Sequence, residues 1–587
     1  MADSYRADTI LTVDIGNAAT RASLFDVVEG VHRLVASAEA PSTVESPYRD
    51  ASEGMQQALH QLETLTGRTL LDANAQVIVP VKEGAIGVDV FTITLSAGPA
   101  LRTLIIGLLP EISLENARQV AASAYCAVVE GSALNDRRRD DELVDAFLAA
   151  NPDLIVISGG TDGGAKDALL HKVDLVNIAC NLMPPGHKPH ALYVGNAALK
   201  DQVTRRLGDA ALTHSAPNVQ PGLGEAGRQL TPARTELSGI FNEHRQAQIG
   251  GLARMAQATG GFPIVPTSQA EGQLLHYLSQ MLGRNLLSIN VGSAASSIIA
   301  ASRGAAAPCI NVRPELGVGV NATRVLAETP AASLVRWLPD EPPDGENAVR
   351  DFVHNKAAHP RTVPADLSDL YLELALAREV IRANFRQARR TWPATVLTGD
   401  GQPAFDMIIG GGAALGQAPH PGLAALTLLD AVEPAGYVQS LLIDEHHLLA
   451  ALGSFAAANP LAVTQILEGE LLLNLGTAVC ASGPARLGEK ICQARLAITG
   501  GAEQTVDLKS GEVEILPLPV GQRGKLTLRP RVGIDVGFGP GRGVTRDISG
   551  GAVGVILDGR GRPIAFPSDA AKRREIVQRW ITRVSTG

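Results

Sequence analysis

Hydrophobic and polar positions change period several times along the chain, and the changes mark its elements. Residues 9–14 form an apolar run closed by an acid, 15–20 are small and polar, and 21–28 alternate before the turn Glu29-Gly30 and a third run over 31–38. This pattern predicts three consecutive antiparallel strands. From about Asp50, Met55, Leu59, Leu62 and Leu65 recur at helical spacing, with Gly67 placed to stop the helix. Between residues 70 and 200 short apolar runs (77–79, 91–95, 101–108, 127–129, 153–158, 191–194) alternate with helical patterns, which predicts a layered α/β architecture. Further helices are predicted over 232–258, 268–282 and 367–390, and strands over 262–265, 286–290 and 407–409. Beyond about residue 460 short alternating runs separated by glycine turns predict a mostly β module, followed by a basic helical pattern over 569–584.

Composition narrows the class. The 587 residues carry 51 Lys+Arg against 60 Asp+Glu, a formal charge of −9, which argues against a general nucleic-acid binder with its large basic excess. Hydrophobic residues at 45% and charged residues at 19% fit a folded globular chain. Five cysteines are scattered without a CxxC pair, which fits reduced thiols in the cytoplasm. The opening MADSYRADTILTVD has acids where a signal peptide needs a basic flank, so no export is expected. The most apolar long segment, 448–463, is broken by Asn459 and Pro460 and falls short of the roughly 20 residues a bilayer requires, so no membrane span is expected.

Several small-residue turns carry candidate chemistry. Asp14-Ile15-Gly16-Asn17-Ala18-Ala19-Thr20-Arg21 lies between two strands of a hairpin. An acid at a strand end can hold hydrated Mg²⁺ there, while turn amides and the Thr20 hydroxyl face phosphate oxygens and Arg21 adds charge; an ordinary hairpin turn explains the same residues. Asn290-Val291-Gly292-Ser293-Ala294-Ala295-Ser296-Ser297 repeats the pattern roughly 275 residues later. Gly410, Gly411 and Gly412 follow a strand, where missing side chains would let a base or ribose lie on the backbone. Thr161 and Asp162 sit in the Gly-rich segment 159–164, with Asp162 either a second cleft acid or a turn acid capping backbone amides. The tail segment 533–541 resembles the first hairpin but reads better as a glycine-rich turn of the β module, and Glu445-His446-His447 reads as surface, because adjacent histidines diverge on any regular element.

The order of hairpin with Asp14, second glycine hairpin, long helix and glycine triplet resembles the actin, Hsp70 and sugar-kinase superfamily over most of residues 9–430. The segments 158–164, 192–196, 406–434 and 441–453 look like the glutamate mutase MutL family. The resemblance implies two actin-like ATPase (ribonuclease H-like) lobes with an inserted α/β subdomain and a C-terminal mostly β module. The lobes are expected over 1–265, with the insertion at about 70–150, and over 266–460, with the module over 461–587. It further implies ATP and Mg²⁺ as cofactors, with Asp14 at the metal. Gly16, Asn17, Thr20, Arg21, Thr161, Asn290, Gly292, Ser293, Ala294 and the three glycines would contact nucleotide, and Asp14 and Asp162 would be the catalytic acids. The implied role is an accessory protein that reactivates an adenosylcobalamin-dependent mutase by nucleotide-driven opening and closing.

One departure qualifies this. Relatives usually read Asp-Val-Gly-Gly-Ala-Thr-Thr-Asp at the second hairpin, so here Asn290 and Ser297 replace both acids. An amide beside Mg²⁺ lacks the full negative charge of a carboxylate, so weak ATPase activity at most is expected. Two other readings stay open: a pseudo-ATPase scaffold for a protein partner, and a small-molecule kinase with Asp162 as its base.

Overall fold

The computed structural model describes residues 8–222, 224, 228–398, 401–469 and 471–586. The predicted opening is present: Ile10–Ile15, Ala19–Val28 and Val31–Pro41 form an antiparallel meander, and Val90–Leu95 then adds parallel to the first strand, with the short Val265–Pro266 beyond it. The second lobe repeats this order. Leu286–Val291, Ser296–Ala301 and Cys309–Arg313 form its meander, Met407–Gly411 adds in parallel beside the first of them, and Tyr437–Asp444 adds in parallel beside Met407–Gly411. Two copies of this strand order make the ribonuclease H-like, actin-type pair of lobes.

The lobes are not separate globules. One hydrophobic core contains Ile10, Phe25 and Phe91 of the first lobe together with Leu286, Ile409 and Phe455 of the second half. Helix Leu448–Phe455 carries this contact, with Phe455 edge-on to Phe25 at a centroid distance of 5.7 Å. Its Gly453 lies so close to the Ala270 carbonyl that an added Cβ would stand 1.9 Å from the oxygen. Any side chain at residue 453 would push this helix away from helix Thr267–Leu282.

The insertion lies further along the chain than the 70–150 expected. Its five strands, Leu101–Ile106, Cys126–Ser132, Leu154–Ile157, His190–Tyr193 and Leu212–Ser215, are all parallel, with the second on one edge and the fifth on the other. The predicted strand at 77–79 is reduced to an isolated bridge between Leu71 and Val77. The single helix predicted over 232–258 is two, Thr231–Gln248 and Leu252–Ala258. Gly250 and Gly251 pass close over Asp50 between them, and Gly251 adopts a φ of 81° that favours glycine.

The tail is partly an extension of the second lobe. Leu473–Cys480, Gly554–Asp558 and Val513–Leu516 lengthen its sheet to eight strands, while Lys490–Ile498, Glu503–Lys509, Arg523–Pro530 and Val544–Ser549 form a separate four-stranded sheet. Helix Ala570–Ser585 packs back, its Val584 carbonyl against Gly422 and its Trp580 indole donating to the Gly511 carbonyl at 2.9 Å. Among the described residues no helix is long and apolar enough to cross a membrane.

A buried charge network joins this tail to the lobe. The Arg560 guanidinium, fully buried, pairs with Asp430 and with Asp558 at 2.8 Å; Arg378 reaches Asp430 at 2.6 Å and Arg562 reaches Asp558 at 2.7 Å. Burial alone would raise the Asp558 carboxyl, but Arg560 and Arg562 outweigh it and hold the group well below the usual carboxylate range. Arg560→Met leaves Asp430 with Arg378 alone and Asp558 with Arg562 alone, two buried carboxylates short of one partner each, and should cost about 3–5 kcal/mol in urea unfolding. Lys490→Ala, which breaks the exposed Lys490–Asp507 pair, should cost less than about 1 kcal/mol. Equal losses for the two variants would contradict the network's role.

Candidate functional site

Both meander turns are built alike. The Gly16 N–H donates to the Ala19 carbonyl at 2.9 Å, and the Gly292 N–H donates to the Ala295 carbonyl at 2.9 Å. Behind the second turn the segment 318–321 ties down its acceptors. The Val318 and Gly319 amides donate to the Gly292 and Ser293 carbonyls at 3.0 and 2.8 Å, and Asn321 Nδ2 donates to the Ala294 carbonyl at 2.7 Å. Among the described residues the amides of Asn17, Ala18, Ser293 and Ala294 donate to no protein acceptor. The two turns line one interlobe cavity of about 300 Å³, together with Asp14, Arg21, Asn290 and Gly412. Opposed turns with unclaimed N–H groups suit a chain of phosphate oxygens.

Asp14 is held rigidly. Its Oδ1 accepts from Thr94 Oγ1 at 2.6 Å, on the parallel neighbour strand, and from Thr267 Oγ1 at 2.8 Å, at the start of helix Thr267–Leu282. Both donors converge on one oxygen, and the other accepts no hydrogen bond from the described residues. That is the donor set a metal-bound water needs, so the site fits hydrated Mg²⁺. Arg21 pairs with Glu39 at 2.8 Å beside the same cavity. Asn17 turns its amide to Glu45, donating to Oε1 at 2.7 Å, so its backbone rather than its side chain is available.

Other placements differ from expectation. Thr20 is fully buried against Gly54 and does not line the cavity, because its alternate-facing strand position points into the lobe core. Gly410 and Gly411 lie in the buried strand. Gly410 admits Ile443, Leu428 and Leu415, and Gly411 lies under Asn290, so of the triplet Gly412 alone reaches the cavity. Thr161 and Asp162 belong to the insertion, not the cavity. Asp162 Oδ1 accepts from the Ala197 amide and from Asn218 Nδ2, both at 2.9 Å, which staples three strand-end loops and lowers its pKa. In the tail, Asp535 folds back onto its own turn and accepts from the amides of Gly537, Phe538 and Gly539.

Several cavity residues had no sequence signal. His447 lines it, unlike its exposed neighbours Glu445 and His446, because a left-handed φ of 55° turns the chain there. Burial, and then the nearby Arg21 and His446 charges, push its imidazole down to about 3. Asp444 accepts from the Leu448 and Leu449 amides at 2.8 and 2.9 Å and caps the helix that joins the lobes. A further wall comes from Lys356, buried and paired with Glu373 at 2.9 Å, and from Arg361, exposed and without a protein partner among the described residues.

The most consequential omission is Glu271, buried one turn into helix Thr267–Leu282. The Ser288 hydroxyl donates to its Oε1, while Oε2 is buried and closes no hydrogen bond of standard geometry, with the Asn290 side chain beside it. Burial pushes its carboxyl up to about 7, against the lowering effect of Ser288 and with Asp444 adding to the rise. An acid therefore does lie at the second hairpin, behind Asn290 rather than in its place.

Comparison with known proteins gives concordant results. The sequence model of the family described as MutL protein matches residues 10–471. Protein MutL of Clostridium tetanomorphum is 22% identical over 498 residues, covering 79% of this chain and 99% of that one. Among solved structures, diol dehydratase-reactivating factor in nucleotide-free form overlaps at 10% identity and a TM-score of 0.31, covering 77% of this chain and 100% of that one. Ligand-bound xylulose kinase from Lactobacillus acidophilus overlaps at 10% identity and a TM-score of 0.31, covering 80% and 93%. Overlaps this loose say nothing about ligand or partner.

Glu271 gives a signed pH prediction. Its folded pKa lies above the unfolded value, so the folded state loses stability relative to the unfolded chain as pH rises from about 4.5 to about 7. Glu271→Gln removes that loss, so the variant's stability relative to wild type should improve by about 3 kcal/mol between pH 4 and pH 8. A pH-independent difference in chemical unfolding would mean that Glu271 titrates as an ordinary acid.

Proposed function

The chain belongs to the MutL protein family, and from that premise and the opposed turns we propose that it is an ATP·Mg²⁺-binding accessory protein that reactivates an adenosylcobalamin-dependent mutase. The observation that carries the nucleotide part is the pair of equivalent turns, each with unclaimed N–H groups, facing one cavity that also holds Asp14. The amides of Asn17 and Ala18 on one side and of Ser293 and Ala294 on the other orient the phosphates. Asp14, fixed by Thr94 and Thr267, holds a metal-bound water. Bound Mg²⁺ neutralises phosphate charge. Gly412, Ala413 and Gln417 form the wall open to the ribose and base, and Arg361 adds an unpaired charge to the rim.

Hydrolysis is slow in this reading because Asn290 cannot act as a base and Glu271 lies behind it, out of the cavity lining. The chaperone action needs only that ATP and ADP stabilise different lobe positions and that the mutase binds those positions unequally. Asn290 also supports a second reading, a scaffold that binds nucleotide without turnover. The kinase reading loses its proposed base, since Asp162 is bonded into the insertion.

Calorimetry with ATP·Mg²⁺ tests the proposal. Wild type should bind; Asp14→Ala should lose the Mg²⁺-dependent part of the affinity, about 100-fold, while Asp162→Ala should bind as wild type does. No binding at millimolar nucleotide would remove the nucleotide reading. Phosphate release should rise on adding a cobalamin-dependent mutase and not on adding a sugar; the reverse response would favour a kinase. Asn290→Asp sets a second carboxylate against Glu271, so turnover should increase more in Asn290→Asp combined with Glu271→Gln than in Asn290→Asp alone.

A further inference from the structure

Four of the chain's histidines, His187, His190, His214 and His244, gather at the far edge of the inserted sheet, away from the interlobe cavity. His190 opens the strand His190–Tyr193 and is buried; His214 lies on the neighbouring edge strand Leu212–Ser215. Their rings stack at a tilt of 36° with centroids 5.2 Å apart, and His190 Nδ1 stands 3.0 Å from His214 Nε2. Helix Thr231–Gln248 crosses the same edge and brings Glu236 and Glu243, seven residues apart and so on one helix face. One ligand atom from each of His190, His214 and Glu243 lies within 4.8 Å of the others.

We propose that His190, His214 and Glu243 bind a divalent transition-metal ion of the zinc class. Zinc bonds of about 2.0–2.1 Å in a tetrahedron place ligand atoms roughly 3.3 Å apart, so the two nitrogens already stand near that spacing and the carboxylate needs a small approach. The tautomer is set from outside: His214 Nδ1 lies 3.4 Å from Glu236 Oε1, and a proton held there leaves Nε2 with its lone pair toward the site. Two imidazoles and a carboxylate suit zinc over magnesium or calcium, which take oxygen ligands. Solvent, or the His244 imidazole 6.0 Å from His190 between ring centroids, completes the coordination.

The ion would act as a clamp. The helix that supplies Glu243 is also bonded elsewhere, with Arg234 donating to the Pro308 carbonyl of the second lobe at 2.8 Å and Arg245 donating to the Pro99 carbonyl at the entrance to the insertion. Metal at its middle ties the edge strands of the insertion to this strut and so fixes how the insertion stands on the lobes.

The test is titration of chelator-treated, nucleotide-free full-length protein with Zn²⁺, followed by calorimetry and, for Co²⁺, by its visible tetrahedral absorption. Wild type should bind one ion at this site, and the Asp14→Ala variant should retain it. His214→Ala should abolish it and Glu236→Gln should weaken it about 10- to 100-fold. Glu243→Gln, a conservative change at an exposed helix position, should weaken it at least tenfold with unchanged circular dichroism, which keeps the test valid if His214→Ala misfolds. Absence of saturable binding in wild type, or equal binding in Glu243→Gln and wild type, would overturn the proposal.

Discussion

Both lobes are keyed to the first turns of one helix, Thr267–Leu282. Thr267 donates to Asp14 of the first lobe, and Glu271, one turn later, accepts from Ser288 of the second. Ser268 anchors the same helix to the Ser123 carbonyl, and Ala270 receives the close approach of Gly453 from helix Leu448–Phe455, which follows the strand Tyr437–Asp444. A rotation of this helix therefore moves the acid of one hairpin and the floor of the other together. The two turns are therefore linked through hydrogen bonds to one helix, the connection that the proposed lobe closure would use.

The part of the cavity proposed to bind anions is made of backbone. Turns whose carbonyls are consumed behind them present N–H groups whatever side chains they carry, which is why Asn17 can spend its amide on Glu45 and the second hairpin can hold Ser293 and Ala294 without losing the arrangement. Side chains matter where charge must be placed, and there the two hairpins diverge. Asp14 is polarised by two hydroxyl donors, whereas at Asn290 the nearest acid is Glu271, buried and with one oxygen unsatisfied. An acid at both 290 and 271 would bring like charges together in a low-dielectric site, so the amide at 290 is compatible with the acid behind it.

Much of the fold was legible because its signals are local. The meander at 10–41, the helix 367–388 and the strand leading to the glycine triplet follow from periodicity and turn residues, while the two-lobed plan was implied by the family resemblance to which the repeat of the Asp14 hairpin at Asn290 contributes. What escaped was non-local. The insertion reaches Ser215 because parallel strands separated by long helices carry no signal of which sheet they join. Thr20 and Gly410 have the residue types of a binding site but face a packed core, and Asp162 has the type of a catalytic acid but spends its carboxylate on two neighbouring loops. His447, Lys356 and Glu271 enter the site, or its floor, only through tertiary packing.

In the proposed function a triphosphate lies between the two turns with its metal at Asp14. A crystal structure of the full chain with Mg²⁺ and a non-hydrolysable ATP analogue tests it most directly. Phosphate oxygens should lie within hydrogen-bond distance of the amides of Asn17, Ala18, Ser293 and Ala294, with a metal-bound water on Asp14. Analogue bound outside this cavity, or a cavity that stays closed to it at saturating concentration, would contradict the claim.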